Sequence, residues 1–160
     1  MVRLQQEFYK NFDNIKSYVS SVESLRKYPP LATLTRTCET DYKIEGTDYF
    51  IPKGCDVQIP VYAIHHDPDI YPDPETFDPE RFTAEETAKR NAFAFLPFGE
   101  GPRNCIGLRF GMMQSRLGLA TVLLNFKWTL GSQMSIPLKF AANQFIIASE
   151  EGIWLNLQKI

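Results

Sequence analysis

The residues that could do chemistry gather in one short stretch, Phe98-Gly-Glu-Gly101-Pro-Arg103-Asn-Cys105-Ile-Gly107. A hydrophobic periodicity begins as it ends. Ile106, Phe110, Met113, Leu117, Ala120 and Leu124 recur at helical spacing over about five turns. Cys105 therefore stands at the mouth of a long helix, where unpaired N–H groups and the helix dipole favour negative charge. A sulfur so placed is suited to bind a metal. Gly99, Gly101 and Gly107 let the backbone approach a flat ligand with no Cβ in the way. Arg103, two residues before the cysteine, can pair with a carboxylate of that ligand, and Phe98 can pack against sulfur and ring and keep water off. A buried cysteine before a helix is common as plain packing, but packing requires neither the glycines nor the arginine.

The other two cysteines, Cys38 and Cys55, are widely spaced, and no Cys-x-x-Cys occurs. An odd count at such spacings argues against a disulfide framework and against structural zinc, and it suits a reducing compartment. Cysteine chemistry is then expected from a single thiolate. A Cys-dependent redox or hydrolytic enzyme would need a placed base or a resolving cysteine, and neither is evident. The net charge of −2 gives no electrostatic case for nucleic acid or an anionic membrane surface. No apolar run approaches the roughly 18–20 residues that span a bilayer, and the start lacks the apolar stretch of a signal peptide.

The elements that must position the cysteine read as follows. Residues 2 to about 28 carry Leu4, Phe8, Ile15, Val22 and Leu25 at helical steps, with a possible break at Asn11–Asn14, and Pro29-Pro30 ends the helix. Tyr42–Glu45 and Tyr49–Ile51 flank Gly46-Thr47-Asp48 as a hairpin. Val57–Ile59 alternates as a strand, and a short apolar helix is expected at Val61–His65. From His65 to Phe82 four prolines and several aspartates leave a long run of turns, the kind of loop that is usually functional. Lys127–Thr129, Phe145–Ile147 and Ile153–Leu155 are expected as short strands. The fold class is α+β, with helices at the start and around 107–125 and small sheets to one side.

At this point a resemblance carries the reading further. FGEGPRNCIG matches in full the Phe-x-x-Gly-x-Arg-x-Cys-x-Gly signature of the cytochrome P450 family, a long and specific motif. The resemblance implies haem b as cofactor, Cys105 as axial iron ligand and Arg103 as a contact to a haem propionate. Phe98, Gly99 and Gly107 fall within the same cofactor loop.

Two further sites join it. Glu23-Ser-Leu-Arg26 puts a carboxylate and a guanidinium on one helical face, alone worth only about 0.2–0.5 kcal/mol. The resemblance makes it more, because Pro79-Glu-Arg81-Phe82 supplies the second arginine of the family's charge triad. Glu23, Arg26 and Arg81 are then structural, locking the Pro-rich meander. Two guanidiniums around one carboxylate make sense only when desolvated and multiply hydrogen-bonded. Arg36 reads as an exposed strand residue, and the resemblance implies a contact to the second propionate. Adjacent His65 and His66 are expected to pack or hydrogen-bond within the loop rather than bind metal. Leu31–Thr35 and Asn143–Ile147 look like two of the family's substrate-contacting stretches.

A thiolate trans to dioxygen favours O–O cleavage, so the implied activity is a haem-thiolate monooxygenase acting on O2 and a small lipophilic substrate. Its electrons would come from an NADPH-dependent flavoprotein reductase docking near Arg109, Arg116 and Lys127. RKYPP, PVYAIHHDP and EEGIWL most resemble the microsomal, xenobiotic-metabolising branch of insects. That implies a parent protein on the cytoplasmic face of the endoplasmic reticulum, anchored by an N-terminal segment outside this sequence. Residues 1–160 then form the C-terminal part of a mostly helical domain, without the oxygen-activating acid–alcohol pair and the distal helices. The alternative is a short, catalytically inactive product that acts as a haem-binding or interaction module.

Overall fold

The computed structural model describes residues 22–160, apart from the side chain of Arg116. The helical reading of residues 2 to 21, with its break at Asn11–Asn14, lies outside the described residues. Helix α1 (Val22–Lys27) ends as the prolines require, its last turn closed by Tyr28 N–H on the Ser24 carbonyl at 2.9 Å.

Beyond Pro30 the chain forms β1 (Leu34–Thr37), β2 (Tyr42–Lys43), β3 (Phe50–Ile51) and β4 (Asp56–Ile59). β1 pairs antiparallel with β4, Leu34 opposite Ile59 and Thr37 opposite Asp56. β2 and β3 form the expected hairpin, Tyr42 opposite Ile51, around Gly46 at φ +74°. The paired stretch is shorter than the apolar pattern suggested because the turn captures the Ile44 carbonyl. Thr47 donates to it through both N–H (3.2 Å) and Oγ1 (3.0 Å).

Helix α2 (Val61–His65) occupies the expected residues. The Pro-rich run that follows is held by its own side chains. Asp67 Oδ1 accepts from Asp69 N–H at 2.9 Å. Asp78 Oδ1 accepts from Glu80 N–H at 3.1 Å and opens a tight helical turn at Pro79–Phe82. Thr83 Oγ1 accepts from Glu86 N–H at 3.3 Å to cap α3 (Ala84–Ala88), a Thr-x-x-Glu capping pattern that the reading from sequence passed over. Asn91 Oδ1 does the same for Phe93 N–H at 2.9 Å.

Helix α4 (Leu108–Asn125) leads into β5 (Phe126–Leu130), which pairs antiparallel with β6 (Leu155–Lys159). Two strand expectations need correction. Phe145–Ile147 is no strand. Phe145 and Ile146 are exposed with no neighbouring ladder, and Ile147 N–H reaches the Pro30 carbonyl at 2.9 Å instead. Ile153–Leu155 joins the sheet only at Leu155. Before it, Gly152 at φ +79° bends the backbone, and the Trp154 carbonyl is taken by Gly131 N–H at 2.9 Å.

The interior is unusual. Its fully buried side chains include Glu23, Arg26 and His65 beside Val61, Tyr71 and Pro29. On α4, by contrast, Leu123 is buried while Phe110, Met113, Leu117, Leu119 and Leu124 are exposed. A helix apolar on so much of its circumference is one that other helices cover. The described fold is thus a polar core joined to an apolar helix open to solvent.

Candidate functional site

Glu23 and Arg26 sit one turn apart on α1, and both are wholly buried. Arg26 Nε and Nη2 donate to the two carboxylate oxygens, each at 2.8 Å, a fork-on-fork arrangement. The remaining donors leave the helix: Nη1 to the His65 carbonyl at 2.9 Å and Nη2 to the Pro74 carbonyl at 2.7 Å. Glu23 Oε1 also accepts from Asp78 N–H at 3.1 Å. Arg81 completes the group, with Nε 3.8 Å from Glu23 Oε1 and its other nitrogens on the Pro72 (2.6 Å) and Asp73 (2.9 Å) carbonyls. The three residues expected to form a triad are therefore brought together, and each arginine grips the Pro-rich loop by its backbone. Removing one partner from such a buried group costs about 3–5 kcal/mol, because a charge is left uncompensated.

Aromatic rings close around this centre. Arg26 lies over the Tyr71 ring at 5.6 Å and Arg90 over the same ring at 5.0 Å. The buried Tyr71 hydroxyl donates to the Ala94 carbonyl at 3.0 Å, and burial pushes the phenol above its ordinary range.

His65 carries this centre to the cysteine loop. Its Nδ1 lies 3.1 Å from the Arg26 carbonyl, and its Nε2 accepts from Leu96 N–H at 2.9 Å. The two partners fix the tautomer: the proton is on Nδ1, and the ring is neutral. Burial is the main reason its pKa falls to about 4, and Phe95 stacks on the ring at 5.4 Å. Neither histidine belongs to a group of three or more metal-ligating side chains among the described residues. His66 instead stacks on Tyr62 at 4.0 Å. What the sequence reading missed is that His65 is the link between the charge triad and the segment entering the loop. Its signal was thin, since nothing in an adjacent pair of histidines says which one faces inward.

Two residues past Leu96 the loop begins. The Phe98 carbonyl accepts from Cys105 N–H at 2.9 Å, closing a compact turn in which Gly99 (φ +74°) and Gly101 (φ +80°) adopt the left-handed backbone. Only glycine takes that conformation without strain. Cys105 is exposed, and Gly107 begins α4 with no side-chain cap. A Cβ on Gly107 would lie 3.9 Å from the Cys105 sulfur.

Arg36 comes to the same place from β1. Its Nη2 is 3.4 Å from the Arg103 carbonyl, and a Cβ on Gly99 would stand 3.6 Å from that nitrogen and 3.7 Å from Leu34 Cδ1. The structure thus brings Arg36, more than sixty residues earlier in sequence, to the loop that holds Phe98, Gly99, Arg103, Cys105 and Gly107. Neither Arg36 nor Arg103 has a carboxylate partner among the described residues. Arg109 and Lys127 are exposed beyond the loop, and the side chain of Arg116 lies outside the described residues.

These residues fit a haem. An exposed thiol, two guanidiniums lacking a carboxylate, a glycine-lined turn and exposed Ile106 and Phe110 are what a flat apolar group with acidic edges would need.

Comparison with known proteins gives the family. The Cytochrome P450 family model matches residues 18–156. “Probable cytochrome P450 6a23” of Drosophila melanogaster is 51% identical over 139 residues, 87% of this chain and 28% of its own length. “Cytochrome P450 6a2” of the same fly is 42% identical over 98% of this chain and 32% of its own length. “Cytochrome P450 6A1” of Musca domestica is 42% identical over 99% of this chain and 34% of its own length. The chain belongs to the cytochrome P450 family, in its insect 6 branch, and spans about a third of the length of these relatives. The family's cofactor is haem, and its α+β fold agrees with the helices and small sheets described.

Proposed function

We propose that this chain is the C-terminal, haem-ligating portion of a haem-thiolate monooxygenase. Cys105 would supply the sulfur ligand to the haem iron. Arg103 and Arg36 would hold the two propionates, Phe98 would cover the sulfur, and Gly99 and Gly107 would make room for the ring. One observation carries the reading. An uncapped helix mouth, an exposed thiol and two arginines without carboxylate partners among the described residues converge from β1 and the loop, though β1 and the loop are distant in sequence.

When bound, haem supplies oxygen activation, favoured by a thiolate ligand. The chain's own residues hold and shield it. Loop glycines let the backbone approach, the arginines neutralise acidic edges, and the triad Glu23, Arg26 and Arg81 fixes the meander from which the loop departs. The triad does not touch the reacting atoms.

The parent protein inserts one oxygen atom of O2 into a small lipophilic substrate and takes electrons from an NADPH-dependent flavoprotein reductase. The exposed Arg109 and Lys127 suit an acidic docking surface. The exposed Phe145 and Ile146 support the reading of Asn143–Ile147, with Leu31–Thr35, as substrate-contacting. No described helix is long and apolar enough to cross a membrane. Residence at the cytoplasmic face of the endoplasmic reticulum belongs to the same reading of the parent protein.

The exposed face of α4 favours a second reading of the chain alone: a haem-binding or interaction module without activity, because among the described residues Cys105 and the apolar side chains of α4 stand open to water. The test grafts this chain in place of the matching segment of the Drosophila relative and records the ferrous carbon-monoxide spectrum. The red-shifted band of a thiolate complex is expected, with its loss in Cys105→Ser. A graft that binds haem with an unchanged spectrum in Cys105→Ser would refute the ligand assignment. The same measurement on the chain alone decides whether it holds haem without the remainder.

A further inference from the structure

The cysteines that sequence spacing kept apart meet at the end of a sheet. Cys38 and Cys55 lie one pair beyond Thr37 and Asp56 in the β1–β4 ladder. Cys38 N–H donates to the Cys55 carbonyl at 2.9 Å, and the Cys38 carbonyl accepts from Gly54 N–H at 2.7 Å. Gly54 has φ +83°, and Cys55 N–H closes a turn on the Pro52 carbonyl at 3.1 Å. Two residues of one strand thus face Cys38, the first a left-handed glycine, which is a glycine bulge. The bulge absorbs the turn and leaves Cys55 in the register of the ladder.

Residues opposed across an antiparallel ladder have Cα atoms about 4.5–5.5 Å apart, within the roughly 4.4–6.8 Å that a disulfide spans. Thr37 Oγ1 and Asp56 Oδ1 meet at 2.8 Å on one face, so alternation sends both cysteines to the other. Both thiols are free, Cys55 exposed and Cys38 half-buried. Cys38 Sγ donates to the Thr40 (2.9 Å) and Ile51 (3.7 Å) carbonyls.

We propose that Cys38 and Cys55 form an oxidant-responsive dithiol, which hydrogen peroxide or an organic hydroperoxide converts to a cross-strand disulfide. With hydrogen peroxide, the Cys55 thiolate attacks one peroxide oxygen. The O–O bond breaks, one water leaves, and Cys55 becomes a sulfenic acid. The Cys38 sulfur then attacks Cys55 sulfur, and the sulfenic oxygen departs as a second water. Two thiols lose two electrons and two protons in all, and a thiol reductant restores them. An exposed bridge of this kind belongs to the labile class. Closing it ties the free end of the strand whose Leu34 and Arg36 lean on Gly99, so oxidation state reaches the wall of the Cys105 loop.

The test treats the whole chain, and the graft described above, with stoichiometric hydrogen peroxide in native buffer and in denaturant, followed by digestion without reduction. The expected product is a peptide linking Cys38 to Cys55, lighter by two hydrogen atoms. It should form about tenfold faster in the native chain, because folding pre-aligns the thiols. It should vanish in Cys38→Ser and Cys55→Ser, where dimedone traps the surviving thiol as a sulfenic acid. Equal rates in native buffer and denaturant, or linkage of Cys38 to Cys105 or to another chain instead, would overturn the proposal. The rate comparison needs no variant to fold.

Discussion

His65 performs two tasks that substitution can separate. Its ring donates from Nδ1 to the Arg26 carbonyl and accepts at Nε2 from Leu96 N–H. Asparagine can replace the donor but not the acceptor, and glutamine the acceptor but not the donor. His65→Asn leaves the Leu96 N–H buried and unpaired, a penalty of about 1–3 kcal/mol, and this falls on the segment entering the cysteine loop. His65→Gln leaves a carbonyl short of one bond, which is tolerated better than an orphaned N–H. Both lose the stack on Phe95. The acid limb gives a second magnitude. The folded pKa, about 4 against an ordinary 6.5, is depressed chiefly by burial. Neutral His65 therefore contributes fully above about pH 6.5, and its contribution fades as pH falls through 4. The difference is worth about 3 kcal/mol. The assay is urea unfolding of the full-length graft from pH 7 to pH 4, with the thiolate band of the ferrous carbon-monoxide complex as a second readout. The wild type should lose stability across that window. Both variants should flatten the slope by up to one proton, and Asn should lose more of the thiolate band than Gln. A slope identical in all three proteins, or equal band loss in Asn and Gln, would show that the ring does not connect the triad to the loop.

Three further outcomes follow from the same geometry. Glu23→Gln leaves Arg26 buried and its charge unbalanced, so unfolding should be about 3–5 kcal/mol easier, measured by denaturant midpoint on the graft. Gly99→Ala and Gly101→Ala should each cost about 1–2 kcal/mol from the left-handed backbone, with similar values, since neither new methyl group would meet a neighbour closer than 3.6 Å. A much larger loss at Gly99 would place an unrecognised contact there. Arg109→Glu with Lys127→Glu should raise the apparent KM for the reductase severalfold at low salt and less at high salt, with the haem spectrum unaltered. Unchanged reductase kinetics would remove this surface from consideration.

Much of the architecture could be read from residue patterns where local preference and tertiary demand agree. The helix at Val61–His65, the hairpin around Gly46 and the long helix after Cys105 all carry periodicity and turn residues consistent with their final state. The cysteine loop was readable for a different reason: its glycines and arginine have no purpose in ordinary packing. Failures arose where a pattern has two physical meanings. Phe145–Ile147 is apolar enough for a strand, but exposed hydrophobics outside any ladder look the same in sequence. β6 was misplaced because Asn156, Gln158 and Lys159 dilute its alternation, and backbone pairing with β5 decides its bounds. The triad could be assembled only through a family resemblance, because nothing local links Glu23 to Arg81. Arg36 and the cysteine loop meet through β1, which no spacing rule reveals.

An interior made of hydrogen-bonded charge has a thermal signature of its own. The heat capacity released on unfolding comes from hydrocarbon entering water, while newly hydrated polar groups subtract from it. With Glu23, Arg26 and His65 at the centre and much of α4 already wet, this polypeptide by itself should unfold with a small heat-capacity increment. Its stability curve should be shallow, with little penalty on chilling, and the familiar steep dome should emerge only once further helices bury Phe110, Met113 and Leu117.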